Sequence, residues 1–285
     1  MPASIPFYKY HALGNDYIVI NPTEIDAAQI LNAARIQSIC HRNFGVGSDG
    51  ILLGPLTDSV NRIALRIFNP DGSEAEKSGN GLRIFARYLW DKGIVKDAPV
   101  EIMTAGGAIS ARVHEGGKVV SVQMGSVSFD SSRIPVSGPA REVLNESLMV
   151  DKMEFTFSAA TVGNPHCVIL RKEITEAETR QFGPLIENEP RFPNRTNVQF
   201  LKILDRSNIQ IEIWERGAGY TLASGSSSSA AAAVAFRLGL CDPQIKVHMP
   251  GGVIDIEISD NYEILMTGAV TKVAEGTIDP EMFET

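Results

Sequence analysis

Two stretches of this 285-residue chain decide its fold: EKSGNGLRIFARYLWDKG at 76–93 and LASGSSSSAAAAVAFRLG at 222–239. Each sets Ser-Gly ahead of a helix-compatible run and closes on glycine, the punctuation of a helix start and stop. The spacing predicts helices over about 80–91, before Gly93, and about 226–238, before Gly239. The second is apolar nearly all round, since AAAAVAF has no polar side chain before Arg237. A helix of that kind must be buried on every side. Its small side chains let surrounding strands approach closely, and a sheet wrapped round a central helix satisfies both conditions.

Four more pairs of matching stretches flank these two in the same order. LGNDYIVI (13–20) resembles VGNPHCVIL (162–170), and RIFNPDG (66–72) resembles EIWERGAG (212–219). IMTAGGAIS (102–110) resembles VHMPGGVID (247–255), and SVQMGSV (121–127) resembles EILMTGAV (263–270). The separation drifts slowly, from 149 for Gly14 and Gly163, through 146 for Ser78 and Ser224, to 142 for Met124 and Met266. One such match is weak, but five in order read as an internal duplication. Each half adds short β-branched stretches between Gly, Pro, Asn and Asp turns: YIVI, RIALRIF and EIMT, then CVIL, NIQIEIW, QIKVHM and VIDIEI. Further helices are expected at about 26–41 and 173–182, and the polar stretch 129–150 reads as the crossing between halves. The expected fold class is α/β (α+β), two pseudo-symmetric halves, each a mixed sheet or barrel round a central helix. The expected halves are 1–128 plus 270–285, and 129–269, with the active site in the cleft between them.

The composition, 44% hydrophobic and 21% charged, is that of a globular protein. Lys+Arg 26 against Asp+Glu 34 leaves a net charge of −8, a poor match to nucleic acid or an anionic membrane. The longest all-apolar run, 230–236, is far too short to span a bilayer, and MPASIPFYKYH at the start has no apolar signal core. Cys40, Cys167 and Cys241, odd in number and widely spaced, suggest neither a disulfide framework nor a metal cluster. The expectation is a reduced, cytoplasmic protein with no metal and no nucleic-acid or membrane partner.

A serine before one helix is most simply a cap. Two at equivalent positions of a duplicated chain imply more. A helix start carries unpaired N–H groups and the positive end of the dipole, which suits a carboxylate. The amides of Gly79-Asn80 and Gly225-Ser226 are the natural donors, with Ser78 and Ser224 flanking whatever the carboxylate carries. One carbon between two such groups is the geometry for moving a proton from one face to the other.

At this point HALGNDYIVI (11–20), RNFGVGSDG (42–50), FNPDGSEAEKSGNGLRIFAR (68–87), GNPHCVI (163–169), RFPNRTNV (191–198), WERGAGYTLASGS (214–226) and MPGG (249–252) together resemble the diaminopimelate epimerase family over nearly the whole chain. The resemblance implies the fold expected above and an isomerase of lysine biosynthesis, epimerising LL- to meso-diaminopimelate without pyridoxal phosphate, other cofactor or metal. It implies a small amino-acid or dicarboxylate substrate and a homodimer. By the same resemblance Asn15, Asn69, Asn164 and Asn197 bind substrate, Arg216 clamps the distal carboxylate and Glu215 sits beside it. The chemistry suits them: Arg meets carboxylate bidentately, and Asn both donates and accepts.

Two departures stand out. The family carries cysteine at both Ser-Gly positions, one thiolate removing the α-proton and the opposite thiol delivering one; here both are serine, at Ser78 and Ser224. A serine hydroxyl is a far weaker acid and needs an adjacent base. His166 and Glu215 are the candidate helpers, against readings of a buried hydrogen-bonded histidine and of a Glu215–Arg216 salt bridge. Gly50 also replaces the glutamine common at the end of the GVGxDQ motif. The serines leave open a natural branch working through serine, a one-base allylic isomerase or lyase on a related dicarboxylate, a ligand-binding homologue, and a Cys→Ser variant.

Overall fold

The computed structural model describes residues 4–25 and 32–283. In chain order the strands are β1 (Ile5–Ala12), β2 (Asn15–Ile20), β3 (Ile51–Thr57), β4 (Ile63–Phe68), β5 (Glu74–Ala75), β6 (Val100–Thr104), β7 (Gly107–His114), β8 (Val119–Ser126), β9 (Glu146–Val150), β10 (Met153–Thr161), β11 (Pro165–Leu170), β12 (Asn197–Asp205), β13 (Asn208–Glu215), β14 (Gly219–Thr221), β15 (Gln244–Met249), β16 (Gly252–Ile258), β17 (Glu263–Ala269) and β18 (Thr271–Ile278). The α-helices among the described residues are α1 (Ala33–Cys40), α2 (Gly79–Asp91), α3 (Glu176–Glu187) and α4 (Gly225–Arg237).

The chain divides into two compact units: residues up to Val122 together with those from Gly268 onward, and Gln123–Thr267. In the first, strand order is β18-β1-β2-β3-β4-β6-β7-β8, with β5 beside β4. In the second it is β9-β10-β11-β12-β13-β15-β16-β17, with β14 beside β13. The orders are the same, element for element. So are the two parallel pairs, β2/β3 and β4/β6 in one unit, β11/β12 and β13/β15 in the other. Parallel neighbours cannot be joined by a tight turn and need a crossover. α1 and α2 supply the crossovers in the first unit, α3 and α4 in the second.

Strand alternation assigns each helix its own face of the sheet. Ile18, Ile20, Ile51 and Leu53 cluster with Ile36 and Ile39 of α1. The alternate positions on β2 and β3 face α2. In the second unit Cys167, Ile169, Val198 and Phe200 cluster with Phe182 and Ile186 of α3. α4 packs against β10, β11, β12, β13, β15 and β16, so the sheet curls round it. It is buried from Ser227 through Ala235, as an all-apolar helix requires. The hydroxyls of Ser228 and Ser229 donate back to the carbonyls of Ser224 and Gly225, both at 2.8 Å, which makes their burial tolerable.

α2 and α4 end alike. Gly93 (φ 69°) and Gly239 (φ 72°) adopt the left-handed conformation. Ile94 N donates to Leu89 O and Leu240 N to Ala235 O, the long bond of a Schellman cap.

Three expectations shift. The helix expected at 26–41 is seen as Ala33–Cys40, started by Asn32, whose side chain accepts Ala34 N–H at 2.9 Å; residues 26–31 lie outside the described residues. The helix expected at 173–182 runs Glu176–Glu187, because Thr175 caps it and Pro184 is accommodated within it. The stretch 129–150 is not a crossing: Ile134, Val136, Val143, Leu148 and Val150 belong to the apolar cluster of the second unit. The chain leaves the first unit at Val122, inside β8. Among the described residues no helix is long and apolar enough to cross a membrane.

Candidate active site

Both Ser-Gly starts have the same local geometry. Ser78 (φ −141°, ψ 117°) and Ser224 (φ −145°, ψ 124°) are extended residues capping α2 and α4. Ser78 Oγ accepts Gly81 N–H at 3.0 Å, and Ser224 Oγ accepts Ser227 N–H at 3.3 Å. The amides of Gly79 and Asn80, and of Gly225 and Ser226, therefore lead their helices, where N–H groups have no intrahelical acceptor.

Around the first start lies a hydrogen-bonded chain. Arg83 Nη2 donates to Asn80 Oδ1 at 2.6 Å, Asn80 Nδ2 to Asn15 Oδ1 at 2.9 Å, and Asn15 Nδ2 to Asp49 Oδ2 at 2.8 Å. Asp49 and Asp16 share the Arg42 guanidinium, and Lys9 also pairs with Asp16. Burial works to raise the Asp16 pKa, but the bonds from Arg42 and Lys9 outweigh it and hold the carboxyl below its usual range. Asn15 is thereby anchored with its amide beside the first helix start. Arg83 is fully buried, no carboxylate among the described residues pairs with it, and burial lowers its pKa to about 10. It brings a full positive charge to the helix's first turn. Asn69, in contrast, is engaged in its own turn: its side chain donates to Ser73 Oγ at 2.9 Å and its N–H to Ser73 O.

Ser78 has one further partner, Tyr17, whose hydroxyl lies 3.1 Å from Ser78 Oγ. Alternation on β2 makes this contact, because Tyr17 points opposite to Ile18 and Ile20, toward α2. Glycine at residue 50 has a steric reason here. A Cβ at residue 50 would stand 2.7 Å from Tyr17 Cε1 and 2.5 Å from the Phe68 carbonyl oxygen. Displacing the ring would relieve only one of the two clashes, so Gly50→Gln also strains the backbone at Phe68. That substitution is expected to cost about 1–3 kcal/mol as overpacking, read as a lower urea midpoint at unchanged slope. An unchanged midpoint would show that the ring relocates freely.

In the second unit Ser224 is buried, and Ser226 Oγ lies 3.5 Å from its Oγ. Gln199 Nε2 donates to Ser227 Oγ at 3.0 Å, tying β12 to the first turn of α4. Asn197 is tied to backbone at both ends of its amide: its Nδ2 donates to Pro165 O at 2.8 Å and its Oδ1 accepts Arg216 N–H at 3.0 Å. It thus positions the β13–β14 turn that carries Glu215 and Arg216. Arg216 Nη1 donates to Asn194 O at 2.9 Å, and among the described residues no carboxylate pairs with its guanidinium.

His166 sits on β11 at the position that Tyr17 holds on β2. Its Nε2 meets Asn164 Oδ1 at 3.0 Å. The imidazole is fully buried, and burial, reinforced by the Arg216 charge, pulls its pKa down to about 3. A ring so weakly basic stays neutral at ordinary pH. Burial disfavours the protonated ring, and its hydrogen bond orients Asn164. Cys167, beside it, is a core thiol, its pKa pushed up by burial; it and the other cysteines, Cys40 and Cys241, are free and buried.

Tyr17, Arg83 and Gln199 escaped the sequence reading. For Tyr17 a signal existed: superposing Gly14 on Gly163 superposes Tyr17 on His166.

Two units of identical strand order, each with a serine-capped helix through its sheet, make up the racemase and epimerase fold. The crystal structure of a hydroxyproline epimerase from Agrobacterium vitis, with trans-4-hydroxy-L-proline bound, matches 98% of this chain and 94% of its own with a TM-score of 0.72. At 16% identity this likeness establishes the fold alone. Residues 7–129 and 158–273 match the diaminopimelate epimerase family. Diaminopimelate epimerase 2 of Nostoc sp. is 63% identical over 277 residues, 97% of this chain and 96% of that protein. The diaminopimelate epimerase of Moorella thermoacetica is 39% identical over 276 residues, 95% of this chain and 98% of its own. The chain belongs to the diaminopimelate epimerase family, and it is an isomerase of the epimerase type.

Proposed function

We propose that this epimerase interconverts LL- and meso-diaminopimelate, or a close analogue, by two-base proton transfer at the α-carbon, with Ser78 and Ser224 in the positions its family gives to cysteines. The observation that carries the reading is the matched pair of helix starts, alike in cap residue, backbone angles and the amide each hydroxyl accepts. In this reading both starts serve one substrate. Its α-carboxylate takes the leading amides, and the positive charge of Arg83 adds to the dipole of α2. One serine withdraws the α-proton as the other delivers a proton to the opposite face, with no cofactor. Arg216 keeps N–H groups for the distal carboxylate. Asn164, oriented by His166, and Asn15, held by Asp49 and Asn80, address the amino-acid ends, with Glu215 next to Arg216 in the same turn. Asn69, held by Ser73 through one Nδ2–H, keeps its second N–H and its Oδ1 for substrate. The three buried free thiols support a reducing compartment, the cytoplasm, and the homodimer implied by the family is part of the same proposal.

The test is α-hydrogen exchange in D2O, followed by NMR. LL-Diaminopimelate is expected to gain deuterium at the α-carbon as meso product forms. Folded protein that binds the substrate yet neither exchanges nor inverts it would overturn the proposal.

A further inference from the structure

We infer that Tyr17 is the positioning residue through which Ser78 exchanges protons, its phenol hydroxyl acting as relay partner of the serine. The inference rests on the role proposed above for Ser78. It starts from a contact, the 3.1 Å between Tyr17 Oη and Ser78 Oγ, in which either hydroxyl can donate. Ser78 Oγ already accepts Gly81 N–H at 3.0 Å. Tyr17 is only 7% exposed, so the pair is largely withdrawn from bulk water. Gly50 leaves the space its ring occupies. Among the described residues Ser224 has no such phenol partner. The residue corresponding to Tyr17 is His166, whose Nε2 is directed to Asn164, and the hydroxyl bonded to Ser224 Oγ is that of Ser226 at 3.5 Å. The two serines are thus served differently: a phenol backs one, an alcohol the other.

The chemistry favours a phenol behind a serine. An alkyl hydroxyl is close to water in acidity, whose pKa is about 15.7. A phenol, at about 10, is within about 2 units of a thiol at about 8.5. In the delivering direction the Ser78 O–H bond breaks as a C–H bond forms at the α-carbon. The Tyr17 proton moves onto Ser78 Oγ and leaves tyrosinate. In the withdrawing direction the α-C–H bond breaks, its proton goes to Ser78 Oγ, and the proton of Ser78 passes to the tyrosinate. Protons and charge balance within the pair and substrate, and no further reactant enters. The working acid is the phenol, with serine as its conduit.

The test compares Tyr17→Phe in two backgrounds. With Ser78 present, Tyr17→Phe is expected to lower kcat by about 10²-fold, the lower end of what a positioned proton-transfer group contributes, with KM little changed. With Ser78→Cys, whose thiol ionises without help, the same change is expected to lower kcat less than about threefold, the relay no longer being required. Phenylalanine keeps the ring in the space at Gly50, and thermal melting checks that the fold is kept. Equal losses in both backgrounds would assign Tyr17 a packing role and overturn the relay. Unchanged kcat with Ser78 present, where Ser78→Ala abolishes turnover, would overturn the relay alone. Full turnover by Ser78→Ala would overturn the role of Ser78 and the relay with it.

Discussion

Replacing Ser78 and Ser224 together by cysteine is expected to raise the epimerase kcat/KM on diaminopimelate by about 10²-fold, a gain at the low end of the range for a positioned acid–base group. The physical ground is acidity. A thiol at a helix start ionises near neutral pH, because the leading amides and the dipole stabilise the thiolate. Both positions are such starts, with the hydroxyl bonded to the amide three residues on. The thiol is larger than the hydroxyl. Ser78 is partly exposed and accommodates it, while Ser224 is 3% exposed and more closely packed. The gain is accordingly expected chiefly from residue 78 if the single variants are compared. Steady-state kinetics on LL- and meso-diaminopimelate read it out. A well-folded double variant that is no better than the parent would mean that the pocket was shaped for a different carbon acid.

The second large effect is loss. Ser78→Ala and Ser224→Ala are each expected to lower epimerisation by about 10²–10⁴-fold. The two should fail in complementary ways. With one face disabled, the remaining group can still withdraw and return a proton on its own side. One variant should therefore wash deuterium only into the LL substrate and the other only into the D-configured centre of the meso form, without inversion. The capping bond is lost as well, at about 1 kcal/mol, so both proteins stay folded and the kinetic loss is not one of structure. Two variants with the same exchange pattern would place both serines on one side of the chemistry. Single variants with undiminished inversion would return both serines to the role of simple caps.

The duplication was legible because its carriers are residues with few substitutes. Gly14 and Gly163 both turn at positive φ, as do Gly93 and Gly239 after the central helices. Ser78 and Ser224 both cap. The strands YIVI, RIALRIF and CVIL announced themselves because they are buried on both faces or nearly so. β1, reading IPFYKYHA, did not: most of its positions are half-buried and its polar residues mask the period. The stretch 129–150 misled for a related reason. Its Pro, Gly and Ser residues suggest a linker, yet a few spaced apolar side chains dock it into the core of the second unit. Irregular backbone can be anchored by such a handful of contacts, and no periodicity records it.

By itself, the amino-acid sequence determined the repeat, the central helices with their starts and stops, and the family, since each depends on local residue chemistry: capping, conformational freedom and small-residue runs. It also singled out the two serines and Gly50 for attention. What surrounds them was decided only by tertiary structure. Residue 50 is far in sequence from Tyr17, and Tyr17 from Ser78, so the reason for one glycine and the partner of one serine exist only where β2, β3 and the start of α2 meet. The same holds for His166. Its identity names an imidazole, but how strongly that ring holds a proton is set by its complete burial, and burial is a property of the folded packing, with no residue of its own to announce it.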